Sequence, residues 1–338
     1  MIKGAIVGLG KMGLSHAAIL GAHPCVDFVA VCDTSSLVLS AFKKFSNVKT
    51  YNDYKEMVEK ESLDFLLVAT PTRFHYPMVK CALEHDLHVF CEKPFSLTTQ
   101  EGQELVELTS KSGLINQVGY HNHFIATFRE LKRLLKVGVL GDLVHFMGEA
   151  YGPVVVKEKG VTWRSKSEEG GGCLYDYASH VLNLIQEIIG RPVEARGSQL
   201  KSIFSKGVED AVYCLLTLEN NVSGLLSVNW SDETYRKMST TLTVIGKNGK
   251  IICDATEIKI FLKNPVKKEN LDKGWTIKRI TDFAIPVNFY LRGEEYSAQI
   301  DNFIDCIINK EYSVFNNFEQ GLYTDKVIEF ILDDSKKK

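Results

Sequence analysis

The sequence predicts an α/β chain of two domains, a parallel sheet covered by helices followed by a large, mostly antiparallel open sheet. Three observations predict it. Up to about residue 120, short apolar runs rich in β-branched residues alternate with helix-length stretches. A glycine-rich turn joins the first run to the first helix. Beyond residue 122, strand-like runs follow one another with little helix between them. A length of 338 residues suits two domains, and the expected division is 1–121 and 122–338.

The elements justify themselves in order. Ile2–Val7 is a β-branched apolar run that ends in glycines. Asp27–Cys32, Asp64–Ala69, Leu87–Cys91 and Leu114–Val118 are similar runs, each bounded by a charge, Gly or Pro. Helix-length segments separate them, among them Ser35–Phe45, Tyr76–His85 and Thr98–Ser110. That rhythm implies parallel strands buried on both faces. Phe124–Val137 is a helix that stops at Gly138. The strand-like segments after it are Val144–Tyr151, Ala195–Ile203, Ala211–Glu219, Val222–Trp230, Ser239–Ile245, Lys250–Cys253 and Glu257–Leu262. Glu219–Val222 and Lys247–Lys250 have the composition of hairpin turns. Helices over Glu294–Asn309 and Phe318–Leu332 close the chain, and Lys336–Lys338 is expected to fray.

Composition excludes several functions. Lys plus Arg is 40 and Asp plus Glu is 42, a net charge of −2. That balance offers no footprint for nucleic acid or an anionic membrane. No apolar run approaches the length that spans a bilayer. The eight cysteines are irregularly spaced, with no C-x-x-C and no zinc-like Cys/His cluster. They read as buried fillers in a reducing compartment, and with no secretory signal pattern the expected location is the cytoplasm.

Gly8-Leu9-Gly10-Lys11-Met12-Gly13 matches G-x-G-x-x-G. The motif alone is weak; its place between the first strand and first helix makes it a dinucleotide site. Glycine there lets the backbone approach a pyrophosphate at the helix N-terminus. In that turn Lys11 and Met12 contribute backbone N–H groups. Asp33 ends the second strand 20 residues past Gly13, where a carboxylate binds a free ribose hydroxyl and repels a 2′-phosphate, favouring NAD over NADP.

Two other places carry chemistry-capable residues. Glu92-Lys93-Pro94 follows a strand at the carboxyl edge, where open α/β sheets bind ligands, although a lysine there also reads as a surface charge. Gly170-Gly171-Gly172 opens a helix in which Asp176 and His180, four apart, share a face continued by Asn183 and Glu187. By spacing alone, Asp176 reads equally well as a helix-start residue and His180 as a satisfied polar side chain. His121 and His123 lie two apart with no third ligand at compatible spacing, so no metal site is expected.

Taken together, Gly8–Gly13, Thr70-Pro71 with His75, Glu92-Lys93-Pro94, Val118-Gly119-Tyr120 and the Asp176…His180 helix resemble the Gfo/Idh/MocA oxidoreductases, in order along essentially the whole chain. The resemblance implies an N-terminal Rossmann NAD-binding domain and a C-terminal α+β domain for substrate binding and oligomerisation. It implies that Lys93, Asp176 and His180 form the reactive group. It places Thr70, Pro71, His75, Glu92, Trp163 and Arg164 along the cofactor, and Tyr120, Asn122 and Asn183 at the substrate. It implies a hydride transfer between NAD and a secondary alcohol or ketone of a sugar, cyclitol or nucleotide-linked sugar, in a homodimer or homotetramer formed through the C-terminal sheet. The alternatives it carries are a non-catalytic dinucleotide- or sugar-sensing regulator and an NAD-dependent glycosidase. The chain departs from the family at Gly119–Phe124, which lacks the common arginines, and at Asn183, where many members have Asp.

Overall fold

The computed structural model describes residues 1–158, 162–283, 293–311 and 315–337; Lys338 of the expected frayed end lies outside them. Two compact units form, Met1–His121 with Pro286–Leu322, and Asn122–Ile285 with Tyr323–Lys338.

In the first unit the elements run β1 (Ile2–Val7), α1 (Lys11–Ala22), β2 (Val26–Cys32), α2 (Ser36–Phe45), β3 (Lys49–Tyr51), α3 (Tyr54–Lys60), β4 (Phe65–Val68), α4 (His75–Glu84), β5 (His88–Cys91), α5 (Thr99–Ser112) and β6 (Asn116–Val118). The strands are all parallel, in the order β3-β2-β1-β4-β5-β6. Successive residues of a strand point to opposite faces, and here both faces are core. Ala5, Val7, Leu66 and Val68 face one cluster, whereas Ile6, Phe65, Leu67 and Phe90 face the other. That is why these strands read as continuous apolar runs. Ser35, Asp53 and Thr98 cap α2, α3 and α5 through side-chain oxygens. Strand β3 was not anticipated, because Lys49-Thr50-Tyr51 is too short and polar to form a run; it is held by the edge of β2.

The second unit contains α6 (Ala126–Lys136), β7 (Leu143–Tyr151), a π-helical turn over Leu174–Ala178, α7 (Ser179–Ile188), β8 (Pro192–Lys201), β9 (Ala211–Leu218), β10 (Ser223–Asn229), β11 (Ser239–Gly246), β12 (Gly249–Asp254), β13 (Glu257–Leu262) and β14 (Gly274–Arg279). Its sheet has the order β14-β13-β12-β11-β7-β10-β9-β8, and only the β7/β10 pair is parallel. One face is buried with α6 and α7, through residues such as Phe128, Leu131, Phe146, Val181, Ile185, Leu216 and Val244. The other face is open: along β9 and β10, Tyr213, Leu215 and Leu225 are 36%, 47% and 44% exposed. Strand β14 is a second element the sequence pattern missed, since Gly274–Arg279 alternates polar with apolar over only six residues.

The expected division at 122–338 needs one correction. Helix α8 (Glu294–Asn309) places Ile300, Phe303, Ile304 and Ile307 in the core of the first unit. There Phe303 meets Phe65 and Phe90 edge-on at 5.7 and 5.8 Å. The amphipathic stripe shows that α8 is buried, but local sequence does not say against what. Helix α9 (Phe318–Ser335) is likewise divided: Phe318 and Leu322 lie in a core of the first unit, Val327, Ile328 and Ile331 in that of the second.

Asp210 anchors the loop between β8 and β9. Fully buried, its carboxylate accepts from the N–H groups of Ile203 (2.5 Å), Phe204 (2.7 Å) and Ser205 (2.8 Å), from the Ser205 hydroxyl (2.6 Å) and from Trp230 Nε1 (2.6 Å). Burial alone would raise its pKa; the hydrogen bonds, led by those from Ser205, outweigh that and hold it below the usual carboxylate range. A depressed folded pKa means this stabilisation is present above the unfolded value of about 4 and is lost as pH falls below it. Asp210→Ala is therefore expected to cost roughly 3 kcal/mol at pH 7 by stranding these donors. The drop in thermal midpoint against wild type should shrink as both proteins are taken to acid; an equal drop at all pH values would contradict the charge-based account.

Candidate active site

Because the six strands of the first unit are parallel, residues that follow each of them emerge at one edge. Gly8 follows β1, Asp33 follows β2, Thr70 and Pro71 follow β4, Glu92 and Lys93 follow β5, and Tyr120 follows β6. Strand order reverses between β1 and β4, the crevice where such sheets take their ligands.

The glycine turn has the shape a pyrophosphate needs. Gly8 has φ +91°, and a Cβ there would lie 2.6 Å from the Ala69 carbonyl oxygen. A Cβ on Gly13 would lie 1.8 Å from the Gly8 carbonyl oxygen, so only glycine lets α1 start this close to the strand. A Cβ on Gly10 would meet nothing within 4 Å, so the space before the turn is open. No side chain caps α1, and Lys11, Met12 and Gly13 present first-turn amides that have no acceptor within the helix. Asp33 is fixed beside them, accepting from Leu9 N–H at 2.6 Å and Ser35 N–H at 2.8 Å. These residues fit NAD: the turn for its phosphates, Asp33 for its adenosine ribose.

His75 takes a different place from a side chain lying open along a cofactor. Its ring is fully buried, with Nε2 2.9 Å from the Thr70 carbonyl and Nδ1 2.9 Å from that of Pro94. It therefore ties the Thr70-Pro71 loop to the segment after Lys93. Burial lowers its pKa, against the opposing effect of those carbonyls. Glu92 is buried and bonded to His16, while Lys93 is half-buried. Tyr120 is buried, its carbonyl accepting from Asn316 at 3.0 Å.

In the second unit the triple glycine explains itself by close approach. A Cβ on Gly171 would lie 2.4 Å from the Arg164 carbonyl oxygen, and one on Gly172, at φ +106°, would lie 2.3 Å from the Glu209 carboxylate. Gly172 N–H donates to that same Arg164 carbonyl, and Glu209 accepts from Leu174 N–H at 2.8 Å. The backbone of Arg164 is thus held against the start of the helix. Its guanidinium covers the Trp163 ring at 4.5 Å and donates through Nε to Asp176 Oδ2 at 3.0 Å.

Asp176 lies in the π-helical turn, not in a regular α-helix, so the four-residue spacing to His180 does not carry the simple same-face meaning expected from sequence. Asp176, His180 and Asn183 are all buried, at 7%, 3% and 1% exposure. The side-chain amide of Asn183 has no hydrogen-bond partner among the described residues. Asn122 donates to Thr240 Oγ1 at 3.5 Å. His123 is buried, and that burial, with the charges of Lys132 and Arg129, pushes its pKa down to about 3. Among the described residues no group of three His, Cys, Asp or Glu is placed to hold a metal, and no helix is long and apolar enough to cross a membrane.

Sequence reasoning missed His16 and Glu209, and it assigned Arg164 to the cofactor without its bond to Asp176. His16 had one signal, a histidine about one turn past the last motif glycine, followed by the apolar run Ala17–Leu20.

The first unit is thus a dinucleotide-binding Rossmann domain, and comparisons with known proteins place the whole. Residues 2–120 match the oxidoreductase family with NAD-binding Rossmann fold, and residues 128–252 match the GFO/IDH/MocA C-terminal domain. The chain belongs to the Gfo/Idh/MocA family of NAD-binding oxidoreductases. It is 30% identical to D-glucoside 3-dehydrogenase of Escherichia coli over 56% of this chain and 55% of that one, so the match spans about half the length of each. It is 23% identical to the NAD-dependent scyllo-inositol 2-dehydrogenase of Bacillus subtilis, over 94% of this chain and 90% of that one. The fold superposes on an NAD-binding oxidoreductase from Klebsiella pneumoniae with a TM-score of 0.88 at 19% identity, covering 99% of this chain and 97% of that one.

Replacing Asp33 tests the cofactor side. Asp33→Ser is expected to lose about tenfold of the preference for NADH over NADPH, as the ratio of dissociation constants from nicotinamide fluorescence. An unchanged ratio would remove Asp33 as the ribose ligand.

Proposed function

We propose that this protein is an NAD-dependent dehydrogenase or reductase acting on a secondary alcohol or ketone of a sugar, cyclitol or nucleotide-linked sugar. The observation that carries the reading is the buried Asp176, bonded to Arg164 from a π-turn, with the buried His180 four residues further along the chain. Withdrawing a carboxylate and an imidazole from water is costly, and a helix needed only for packing has no use for them. The relatives named as a glucoside dehydrogenase and an inositol dehydrogenase support the polyol class.

In the proposed chemistry, bound NAD supplies the hydride acceptor. His180 takes the hydroxyl proton as the carbon gives up its hydride, and returns it in the reductive direction; an imidazole is suited to that near neutral pH. Lys93 donates a hydrogen bond to the same oxygen and stabilises its developing negative charge. Asp176, oriented by Arg164, sets the position of the substrate or of its two partners. Thr70, Pro71, Glu92, Trp163 and Arg164 border the cofactor, and His75 holds the Thr70-Pro71 loop in place. Tyr120, Asn122 and the unpartnered amide of Asn183 face the polyol. The eight free cysteines, seven of them buried, support a reducing cytoplasmic setting. The open face with Tyr213, Leu215 and Leu225 supports a homodimer or homotetramer built through the second sheet.

Two measurements test this. Incubation with NAD and a panel of inositols, glucosides and nucleotide sugars should give absorbance at 340 nm with at least one of them. With that substrate, His180→Ala and Lys93→Ala should each lose about 10²–10⁴-fold in kcat while NADH still binds. NADH binding without turnover across the panel would favour a sensor, and cleavage of a glycoside without net reduction would favour a glycosidase. Separately, Leu215→Glu should lower the mass found by light scattering; a wild-type monomer would overturn the oligomer.

A further inference from the structure

We propose that His16 and Glu92 form a buried positioning pair that ties the helix after the glycine turn to the loop carrying Lys93, and so fixes where that lysine stands. The inference rests on the reading of Lys93 as the group that meets the reacting oxygen.

His16 lies on α1, three residues past Gly13, and is fully buried. Its Nε2 donates to Glu92 Oε1 at 2.6 Å, and its ring meets Phe90 edge-on at 5.4 Å. The other carboxylate oxygen of Glu92 accepts the N–H of Lys93 at 3.2 Å. Just past β6, Gly119 leaves room for the carboxylate: a Cβ there would lie 3.0 Å from Glu92 Cδ. One buried carboxylate thus joins α1 to the backbone of the lysine and rests against the end of a third element.

Burial alone would raise the pKa of Glu92. The bond from His16, followed by the charges of His16, Lys93 and His121, outweighs it and holds the carboxyl below its usual range. Packing does not call for such a group, since its chain neighbours Phe90, Cys91 and Phe95 are apolar and fully buried. A buried pair of polar side chains is rarely the most stabilising way to fill a core. What it supplies is a fixed direction, because hydrogen bonds at both oxygens allow one placement of the loop. Both residues act through Lys93; they are positioning residues.

The test reads Lys93 without needing a substrate. With NADH present, the protein is acetylated with acetic anhydride, and the rate at Lys93 is taken by peptide mass spectrometry relative to Lys43 and Lys44, which are exposed on α2. His16→Leu fills the space of the ring without a donor and is expected to raise the relative rate at Lys93 by about threefold or more. His16→Gln restores an N–H toward the carboxylate and should return the rate to within about twofold of wild type. Should His16→Leu fail to fold, Gly119→Ala, which presses on the carboxylate from the end of β6, reads the same quantity and should also raise it. An unchanged rate at Lys93 overturns the proposal, as does an equal disturbance in His16→Leu and His16→Gln, which would mean that only packing is at stake. Lys93→Ala separates the two readings. If it retains turnover on a polyol that reduces NAD, the role of Lys93 in the reaction falls, while the labelling still reports on the pair.

Discussion

All six strands of the first sheet run the same way, so whatever follows a strand emerges on one edge. That constraint gathers the glycine turn, Asp33, the Thr70-Pro71 loop, Lys93 and Tyr120 without any of them being close in sequence. Burial of both faces makes the arrangement rigid, since alternate residues of β1 and β4 are committed to different cores. A strand that slipped by one residue would turn its apolar set to the wrong side. The loops inherit that rigidity, and His75 and the His16–Glu92 pair extend it from the strands to the backbone around Lys93.

The same device recurs with different chemistry. Three carboxylates, Glu92, Asp176 and Asp210, are withdrawn from water, and each is met by fixed donors. Asp210 is surrounded by backbone N–H groups and an indole, so it serves the loop it anchors. Glu92 and Asp176 are instead met by a histidine and an arginine; Glu92 accepts the N–H of Lys93, and Asp176 is itself a residue of the proposed reaction. The glycines follow the same logic, being present where another group must come closer than a Cβ permits.

Much of this was legible in the sequence, because the features concerned are local. Apolar runs with their flanking turns mark the strands of the parallel sheet, and the G-x-G-x-x-G placed at β1 and α1 marks the dinucleotide turn. Asp33 follows from its distance to Gly13. The family resemblance then supplied Lys93, Asp176 and His180 as a set. What was not legible depends on tertiary contact. Nothing near residue 300 says that α8 packs against Phe65 and Phe90, so the boundary of the second unit came out wrong over 286–322. The π-turn at Asp176 follows glycines that accommodate the Arg164 backbone and the Glu209 carboxylate, and a periodicity of 3.6 does not reveal it. The His16–Glu92 bond joins residues 76 apart. Short strands such as β3 and β14 lack a pattern of their own and exist because a neighbour's edge pairs with them.

The central proposal is that Lys93 and His180 serve one reacting oxygen in an NAD-dependent oxidation. A crystal structure of the protein with NADH and a polyol that it turns over tests this most directly. The account predicts Lys93 Nζ and a ring nitrogen of His180 both within about 3.2 Å of one substrate oxygen, whose carbon faces the nicotinamide. A substrate whose reacting oxygen meets neither residue would contradict it.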